Sequence, residues 1–285
     1  MVYESKVKPV WCPGCGNFGV FSSLKRAFEE LKIEKHKIAI ISDIGCSSQE
    51  PHLFSTYGLD SLHGRVVAVA TGTKLANSEL LVIAVGGDGG IYGEGLNHLI
   101  NAARRNIGVK VIAVNNGLFS LTIGQVAPTT LKGMKTRTTP YGNPDNPITP
   151  IPLMLSSFAT FVARGFAGDV EHLTYLIKES IKHKGFALID ILSPCVTFNK
   201  LQTYEWYRQR VYKLEEKKHD KQNFEEALKE AFVDIKTNYE KIPIGIFYQK
   251  EEKSFEEVEP ILSKGVLIKR KRINKDELKE FIENF

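Results

Sequence analysis

Two short stretches of this chain carry the strongest chemistry: Gly87-Asp88-Gly89, and further on Asn115-Asn116. One carboxylate and one amide, each just after a run of apolar residues, can meet a single hard cation. Mg²⁺ takes six oxygen ligands and keeps phosphate oxygens among them. Asp88 and the Asn116 side chain would supply two ligands and a nearby backbone carbonyl a third. Gly87 and Gly89 let the main chain approach a diphosphate, and a following helix offers N–H donors and a favourable dipole. Gly-Asp-Gly alone also occurs in calcium loops and plain turns. Its pairing with Asn-Asn favours a diphosphate–Mg²⁺ site over a tight turn with a strand-end amide.

The four cysteines give a second signal. Cys12-Pro-Gly-Cys15 is a C-x-x-C knuckle, and Cys46 and Cys195 are distant single residues. Four thiolates hold either a tetrahedral Zn²⁺ or a [4Fe–4S] cluster. Zinc sites usually pair two close knuckles, so one knuckle with two remote ligands leans toward a cluster. Zinc and unlinked buried cysteines stay open on spacing alone.

The elements that must position these residues alternate between strand and helix. Residues 17–31 show helical spacing at Val20, Leu24, Ala27, Phe28 and Leu31. Residues 37–42 read as a buried strand that runs into Asp43-Ile-Gly-Cys-Ser47. Helices are predicted over 65–75, 94–105, 153–164 and 171–183, and strands over 80–85, 109–114 and 186–191. The fold class is therefore α/β, a doubly wound, mostly parallel sheet with right-handed crossovers. Loops at strand carboxyl ends would carry Cys46, Asp88, Asn116 and Cys195 along one edge. Six of the twelve prolines lie between Pro128 and Pro152, a segment read as an ordered lid or a contact between subunits. The composition shifts near residue 198. Residues 1–198 form the main domain and 199–285 an extension packed on it. Within the extension, Asn223 with Glu226 predicts a capped helix through Ile235, and Asn274 with Glu277 a short terminal one.

The 285 residues, 42% hydrophobic and 25% charged, are ordinary for a globular protein. A net charge of +5 is too mild to argue for nucleic acid and would suit an acidic protein partner. No apolar run reaches membrane-spanning length and the first ten residues lack a signal-peptide core, so a cytoplasmic location is expected. Thiols stay reduced there, which favours ligation over disulfides.

The ordered motifs resemble a known family. Cys12-Pro-Gly-Cys15, Ile44-Gly-Cys-Ser47, Thr56-Tyr-Gly58, Leu62-His-Gly-Arg65, Gly87-Asp-Gly89, Asn97-His98, Arg104-Arg-Asn106, Leu121-Thr122, Gly124-Gln125, Pro128-Thr-Thr130, Ser193-Pro-Cys-Val-Thr197, Tyr204-Glu-Trp-Tyr207 and Arg210-Val-Tyr212 are similar to the β subunit of archaeal-type 2-oxoacid:ferredoxin oxidoreductases. The resemblance covers nearly the whole chain. It implies a thiamine-diphosphate-binding fold over 1–198, with Cys12, Cys15, Cys46 and Cys195 on a [4Fe–4S] cluster. It implies Mg²⁺ on Asp88, Asn116 and the Leu118 carbonyl. It places Ile44, Gly45, Cys46, Ser47, His63, Gly89, Gly90, Ser120 and Leu121 against thiamine diphosphate. The implied reaction is CoA-dependent oxidative decarboxylation of a 2-oxoacid, with electrons passing through the cluster to ferredoxin. The glutamate that activates the cofactor is expected on a partner α subunit, so no catalytic residue is assigned in this chain and it should be inactive alone.

Several positions depart from the family pattern. Gly90 stands where many members carry a second aspartate. Gln49 and Ile123, candidates for the substrate pocket, stand where 2-oxoglutarate-using members carry lysine, which can pair with a second carboxylate. Asn101 replaces a common histidine, and Phe119-Ser120 a usual Tyr-Gly. These changes argue for a less acidic or different 2-oxoacid, or for an atypical member. Two other readings stand beside the leading one: a non-redox decarboxylase half with structural zinc, and a scaffold subunit that has lost turnover. His98 reads as structural, and Arg104 and Arg105 as solvating or capping a helix end. Lys269-Arg-Lys-Arg272 reads as a solvated basic face before it reads as a ferredoxin dock. Trp11 and Phe18 flank the first cysteines and would shield the centre from solvent, though ordinary core packing explains them as well.

Overall fold

A computed structural model describes residues 3–270 and 275–284. Its centre is an eight-stranded sheet. The strands are β1 (Ile38–Ser42), β2 (Tyr57–Asp60), β3 (Leu81–Gly87), β4 (Val109–Asn115), β7 (Phe161–Phe166), β8 (Ala187–Leu192), β9 (Val211–Lys213) and β10 (Ile242–Gln249), in the order β2-β1-β3-β4-β8-β7-β10-β9. All neighbours pair in parallel except β7 and β10. A separate two-stranded hairpin joins β5 (Leu118–Phe119) to β6 (Gln125–Val126).

Strands β1, β4, β7 and β8 are buried along their whole length, as central strands covered on both faces must be. One covering layer is α1 (Asn17–Leu31) beside α6 (Val170–Lys182). Helix α1 buries Val20, Leu24, Ala27 and Phe28, and full burial of each large apolar side chain is worth about 1.5–3 kcal/mol. It stops at Lys32, which turns left-handed at φ 53° and donates its N–H back to Glu29 and Phe28. Helix α6 is capped by Asp169, whose side chain accepts the His172 N–H. The opposite face carries α3 (Val66–Ala76), α4 (Leu96–Arg104) and α5 (Pro150–Ser156), with the short α2 (Glu50–Leu53) beside β1 and β2. The helix expected over 65–75 is α3.

Two expectations fail. The helix predicted over 153–164 ends at Ser156, and Phe161–Phe166 is instead a strand between β8 and β10. Phe158 breaks the helix at φ 61°, and a short apolar run buried on both faces fits either period. Beyond residue 198, the helix expected to reach Ile235 breaks at Phe232 into α8 (Phe224–Ala231) and α9 (Val233–Lys236). Its cap is half a capping box: Asn223 accepts the Glu226 N–H, while the Glu226 carboxylate turns to the Asp220 N–H. Strands β9 and β10, absent from the sequence reading, extend the main sheet across that boundary.

Four short helices complete the C-terminal part: α7 (Tyr204–Arg208), α10 (Phe255–Val258), α11 (Pro260–Ser263) and α12 (Lys275–Glu283). The cap proposed at Asn274 and the basic pair Lys271 and Arg272 lie outside the described residues. Lys269 pairs with Glu79 at 2.6 Å. The proline-rich segment is ordered on itself: Ile148 N–H donates to Pro128 O at 2.8 Å and Asn143 Nδ2 to Thr130 O at 3.0 Å. Among the described residues no helix is long and apolar enough to cross a membrane.

Candidate functional site

Strands β1, β3, β4 and β8 run parallel, so their carboxyl ends deliver four loops to one edge of the sheet. Those connections hold Ile44–Ser47, Asp88–Gly90 at the start of a helical segment (Gly89–Glu94), Asn116–Ser120 and Ser193–Cys195. Between the first three lies a cleft of about 100 Å³ lined by Ile44, Gly45, Cys46, Ser47, His63, Asp88, Gly89, Gly90, Asn116, Leu118, Ser120 and Leu121, together with Gly87, Phe119 and Thr122. Every residue assigned to the diphosphate or its cation from sequence thus lies on one wall. A cavity of about 900 Å³ lies at the opposite edge, near the starts of β3, β4 and β8. Its buried Lys110 ammonium donates to the His183 and Gly185 carbonyls, and it holds none of these groups.

Asp88 is buried where β3 ends. Its Oδ2 accepts from Thr129 Oγ1 at 2.6 Å, and its Oδ1 is 3.3 Å from the Asn116 N–H. Asn116 Oδ1 accepts from Leu118 N–H and from Ser120 Oγ, both at 3.0 Å, and Ser120 Oγ is 3.4 Å from the Leu118 carbonyl. Carboxylate, amide oxygen and carbonyl are all hard oxygen donors, the set that Mg²⁺ requires. Burial pushes the Asp88 carboxyl up to about 7, against the Thr129 and Asn116 hydrogen bonds that hold it down. A buried carboxylate with no cation beside it is what a divalent ion would relieve, so the residues fit the group.

Behind Asp88 runs a buried polar chain that the sequence reading did not foresee. Thr129 Oγ1 also lies 2.8 Å from Asn115 Oδ1, and Asn115 Nδ2 donates to Asp190 Oδ1 at 3.1 Å. Tyr92 OH donates to the same oxygen at 3.0 Å. Arg164 bridges Asp190 at 3.3 Å to Asp234 of α9 at 2.9 Å. Thr129 was visible only as part of a motif, and Arg164 was misplaced on a helix.

The four thiols are free and share the same edge. Trp11 Nε1 donates to the Cys46 carbonyl at 2.6 Å, and Gly16 N–H to the Pro194 carbonyl at 3.2 Å, which ties the first knuckle to both remote cysteines' loops. Thr197 Oγ1 donates to Cys12 Sγ at 3.1 Å and Asn17 Nδ2 to Cys15 Sγ at 3.6 Å. Burial, with Cys15, Cys195 and Cys12 adding to it, pushes the Cys46 thiol up to about 11. Burial likewise raises Cys15, and Cys195 and Cys12 contribute. Among the described residues no three His, Cys, Asp or Glu side chains converge closely enough to hold one metal ion. Trp11 is buried and stacks edge-on to Phe18 at 5.1 Å.

Two assignments sit apart from the cleft. Gln49 Oε1 accepts the Val10 N–H at 3.0 Å, and neither Gln49 nor Ile123 lines the cleft wall. Asn101 is engaged with Asn97 and Arg104 on α4.

The relatives agree with this geometry. Residues 43–191 match the family model "Thiamine pyrophosphate enzyme, C-terminal TPP binding domain", and residues 195–264 match the model for the C-terminal part of the pyruvate ferredoxin oxidoreductase beta chain. A 2-oxoacid:ferredoxin oxidoreductase subunit beta from Sulfolobus sp is 47% identical over 251 residues, 85% of this chain and 82% of the relative. The chain belongs to the β subunits of 2-oxoacid:ferredoxin oxidoreductases. A 2-oxoglutarate synthase subunit KorB from Methanocaldococcus jannaschii is 38% identical over 68% of this chain and 72% of its own. A 2-oxoglutarate:ferredoxin oxidoreductase from Magnetococcus marinus, solved with 2-oxoglutarate, coenzyme A and succinyl-CoA bound, matches with a TM-score of 0.89 at 37% identity. That match covers 99% of this chain and 94% of the solved one. The cleft of this β subunit therefore belongs to a thiamine-diphosphate-binding domain.

Proposed function

We propose that this β subunit binds Mg²⁺–thiamine diphosphate on Asp88, Asn116 and the Leu118 carbonyl, and a [4Fe–4S] cluster on Cys12, Cys15, Cys46 and Cys195. The observation that carries the proposal is the double position of Cys46: it lines the cofactor cleft, and its carbonyl accepts from Trp11, beside the Cys12–Cys15 knuckle whose far end is tied to the Cys195 loop through Gly16 and Pro194. Electrons released in the cleft then have a relay one residue away.

Bound thiamine diphosphate supplies the carbanion that attacks a 2-oxo carbon and the cationic ring that accepts the electrons left by CO₂. The chain's own residues bind and orient. Asp88 and Asn116 would hold the Mg²⁺ whose charge offsets the diphosphate, and Ile44 and Leu121 present apolar surface in the same cleft. Among the described residues no three thiols converge on one point as a zinc site requires, which supports a cluster over zinc. In a four-iron cube each thiolate binds its own iron, so the sulfurs stand farther apart than the four ligands of one ion. Thr197 and Asn17 already donate to sulfur, as donors that tune cluster potential do.

A cleft of about 100 Å³ is smaller than the ~300 Å³ at which ligand pockets of this kind begin, so a second wall must come from a partner. Ile44 and Leu121 of its lining are exposed, and Leu62, next to the lining residue His63, is 78% accessible; they supply an apolar rim for an α subunit. CoA as acyl acceptor and ferredoxin as electron acceptor follow from the same family reading. Gln49 and Ile123 are uncharged where 2-oxoglutarate-using members carry lysine, which favours 2-oxoacids without a second carboxylate. Iron and acid-labile sulfide, measured on the complex co-purified with its partner under argon, test the cluster. Four of each per β subunit are expected. Stoichiometric zinc without sulfide would remove the redox assignment and leave the non-redox decarboxylase half.

A further inference from the structure

Two buried polar atoms beside the cleft have no hydrogen-bond partner among the described residues: Asp43 Oδ2 and His63 Nδ1. They face each other at 3.8 Å, just beyond hydrogen-bond reach. Asp43 closes β1 and is fully buried, its N–H fixed to the Val85 carbonyl of β3 at 2.9 Å. Its other oxygen accepts the Gly64 N–H at 2.7 Å, so both carboxylate oxygens address the turn that carries His63. Gly64 holds that turn at φ 70°, and a Cβ there would strike Glu94. Glu94 Oε2 is 3.3 Å from His63 Nδ1 but stands half exposed, whereas Asp43 approaches from the protein interior.

The room for Asp43 comes from Gly90. A Cβ built on residue 90 would overlap Asp43 Oδ2. A carboxylate on residue 90 and the carboxylate of Asp43 therefore compete for one volume, next to the loop that begins with Asp88.

We infer that Asp43 is a positioning residue: its carboxylate fills the space left by Gly90 and faces Nδ1 of His63 as the acceptor for that nitrogen's N–H, orienting the imidazole on the wall of the cofactor cleft. A proton on Nδ1 would have a carboxylate on each side, Asp43 at 3.8 Å and Glu94 at 3.3 Å, which sets the ring plane whichever state Nε2 adopts. The assignment rests on reading the cleft as the thiamine-diphosphate site. Nothing in it needs the cluster.

The test is a titration of Mg²⁺–thiamine diphosphate into the complex of this chain and its partner, followed by calorimetry. Second-layer partners of this kind are worth about 10–100-fold in affinity. Asp43→Ala should weaken binding about tenfold, and so should His63→Ala. The double variant Asp43→Ala/His63→Ala should bind no worse than His63→Ala, because Asp43 acts through the imidazole. Gly90→Asp alone should lose as much as Asp43→Ala. Asp43→Gly/Gly90→Asp, which moves the carboxylate to the segment after β3, should return to within about threefold of the unmodified complex. The assignment is overturned if Asp43→Ala binds normally, if the Asp43 and His63 losses multiply, or if the exchanged pair binds no better than Gly90→Asp. A complex with the natural sequence that fails to bind the cofactor would instead overturn the cleft reading, and this assignment with it.

Discussion

Thr129 Oγ1 lies 2.6 Å from Asp88 Oδ2, with both side chains buried. One hydroxyl proton there serves two acceptors, because Asn115 Oδ1 is 2.8 Å away on the other side. The hydroxyl thus links the proposed metal ligand to the Asp190–Arg164–Asp234 chain. Thr129→Val keeps the shape and removes the donor. It should weaken Mg²⁺ affinity about 10–100-fold, while Thr129→Ser stays within a few-fold of the natural residue. Mg²⁺ dependence of thiamine diphosphate binding measures both, and equal affinity in the two variants would contradict the link.

Arg164 and its two aspartates fasten the C-terminal part to the main sheet. Asp234 is buried and holds Arg164 at 2.9 Å. Removing one partner of a buried pair leaves an uncompensated charge and costs about 3–5 kcal/mol. Asp234→Ala should therefore lower the unfolding free energy by that amount, and Arg164→Ala comparably, as denaturant titration would read. A loss under about 1 kcal/mol for Asp234→Ala would mean that Asp190 alone satisfies the guanidinium.

Much of this arrangement was legible in the chain. Asp88, Asn116 and Cys46 declared themselves because each follows an apolar run, and strand carboxyl ends are where open α/β sheets place ligands. Phe161–Phe166 was not legible, since a strand buried on both faces shows no alternation to separate it from a helix. Strand β10 hid for a related reason: Ile242–Gln249 contains Pro243 and Gly245, which argue against a strand interior. Gly90 read as a missing carboxylate. Only the fold reveals that Asp43 delivers one to the same volume from β1, a long-range substitution that local spacing cannot express. Gln49, a candidate for the substrate pocket, has its side-chain oxygen engaged by the Val10 N–H, a contact with a distant segment that local spacing cannot show either.

Glu50 gives a pH dependence. It is fully buried, neither carboxylate oxygen has a partner among the described residues, and burial raises it from 4.5 to about 8. The folded value lies above the unfolded one, so the fold favours the protonated form. The cost of ionisation is absent below about pH 4.5, grows up to about pH 8 and is complete above it. At 1.36 kcal/mol per unit, that cost is at most about 5 kcal/mol. Glu50→Gln should flatten the pH dependence of stability in this window and raise the melting temperature at about pH 8.5. Parallel profiles for the two chains would contradict it.

The cysteines predict a graded loss. Cys46→Ser touches both the thiol group and the cleft wall, so it should remove the cluster and also weaken thiamine diphosphate binding. Cys12→Ser, at the exposed end of the knuckle, should reduce iron content while leaving cofactor affinity within about threefold, since Cys12 does not line the cleft. Iron analysis beside calorimetry separates the two effects.

The most direct measurement mixes the anaerobic complex with CoA and a panel of 2-oxoacids in the absence of ferredoxin, following absorbance near ~400 nm where Cys-ligated iron–sulfur centres absorb. A monocarboxylate 2-oxoacid should bleach that band and produce a reduced-cluster paramagnetic signal, faster than 2-oxoglutarate does. A complex that binds thiamine diphosphate and releases CO₂ while the band stays unchanged, or that has no such band, would contradict a cluster on these four thiols as the electron acceptor.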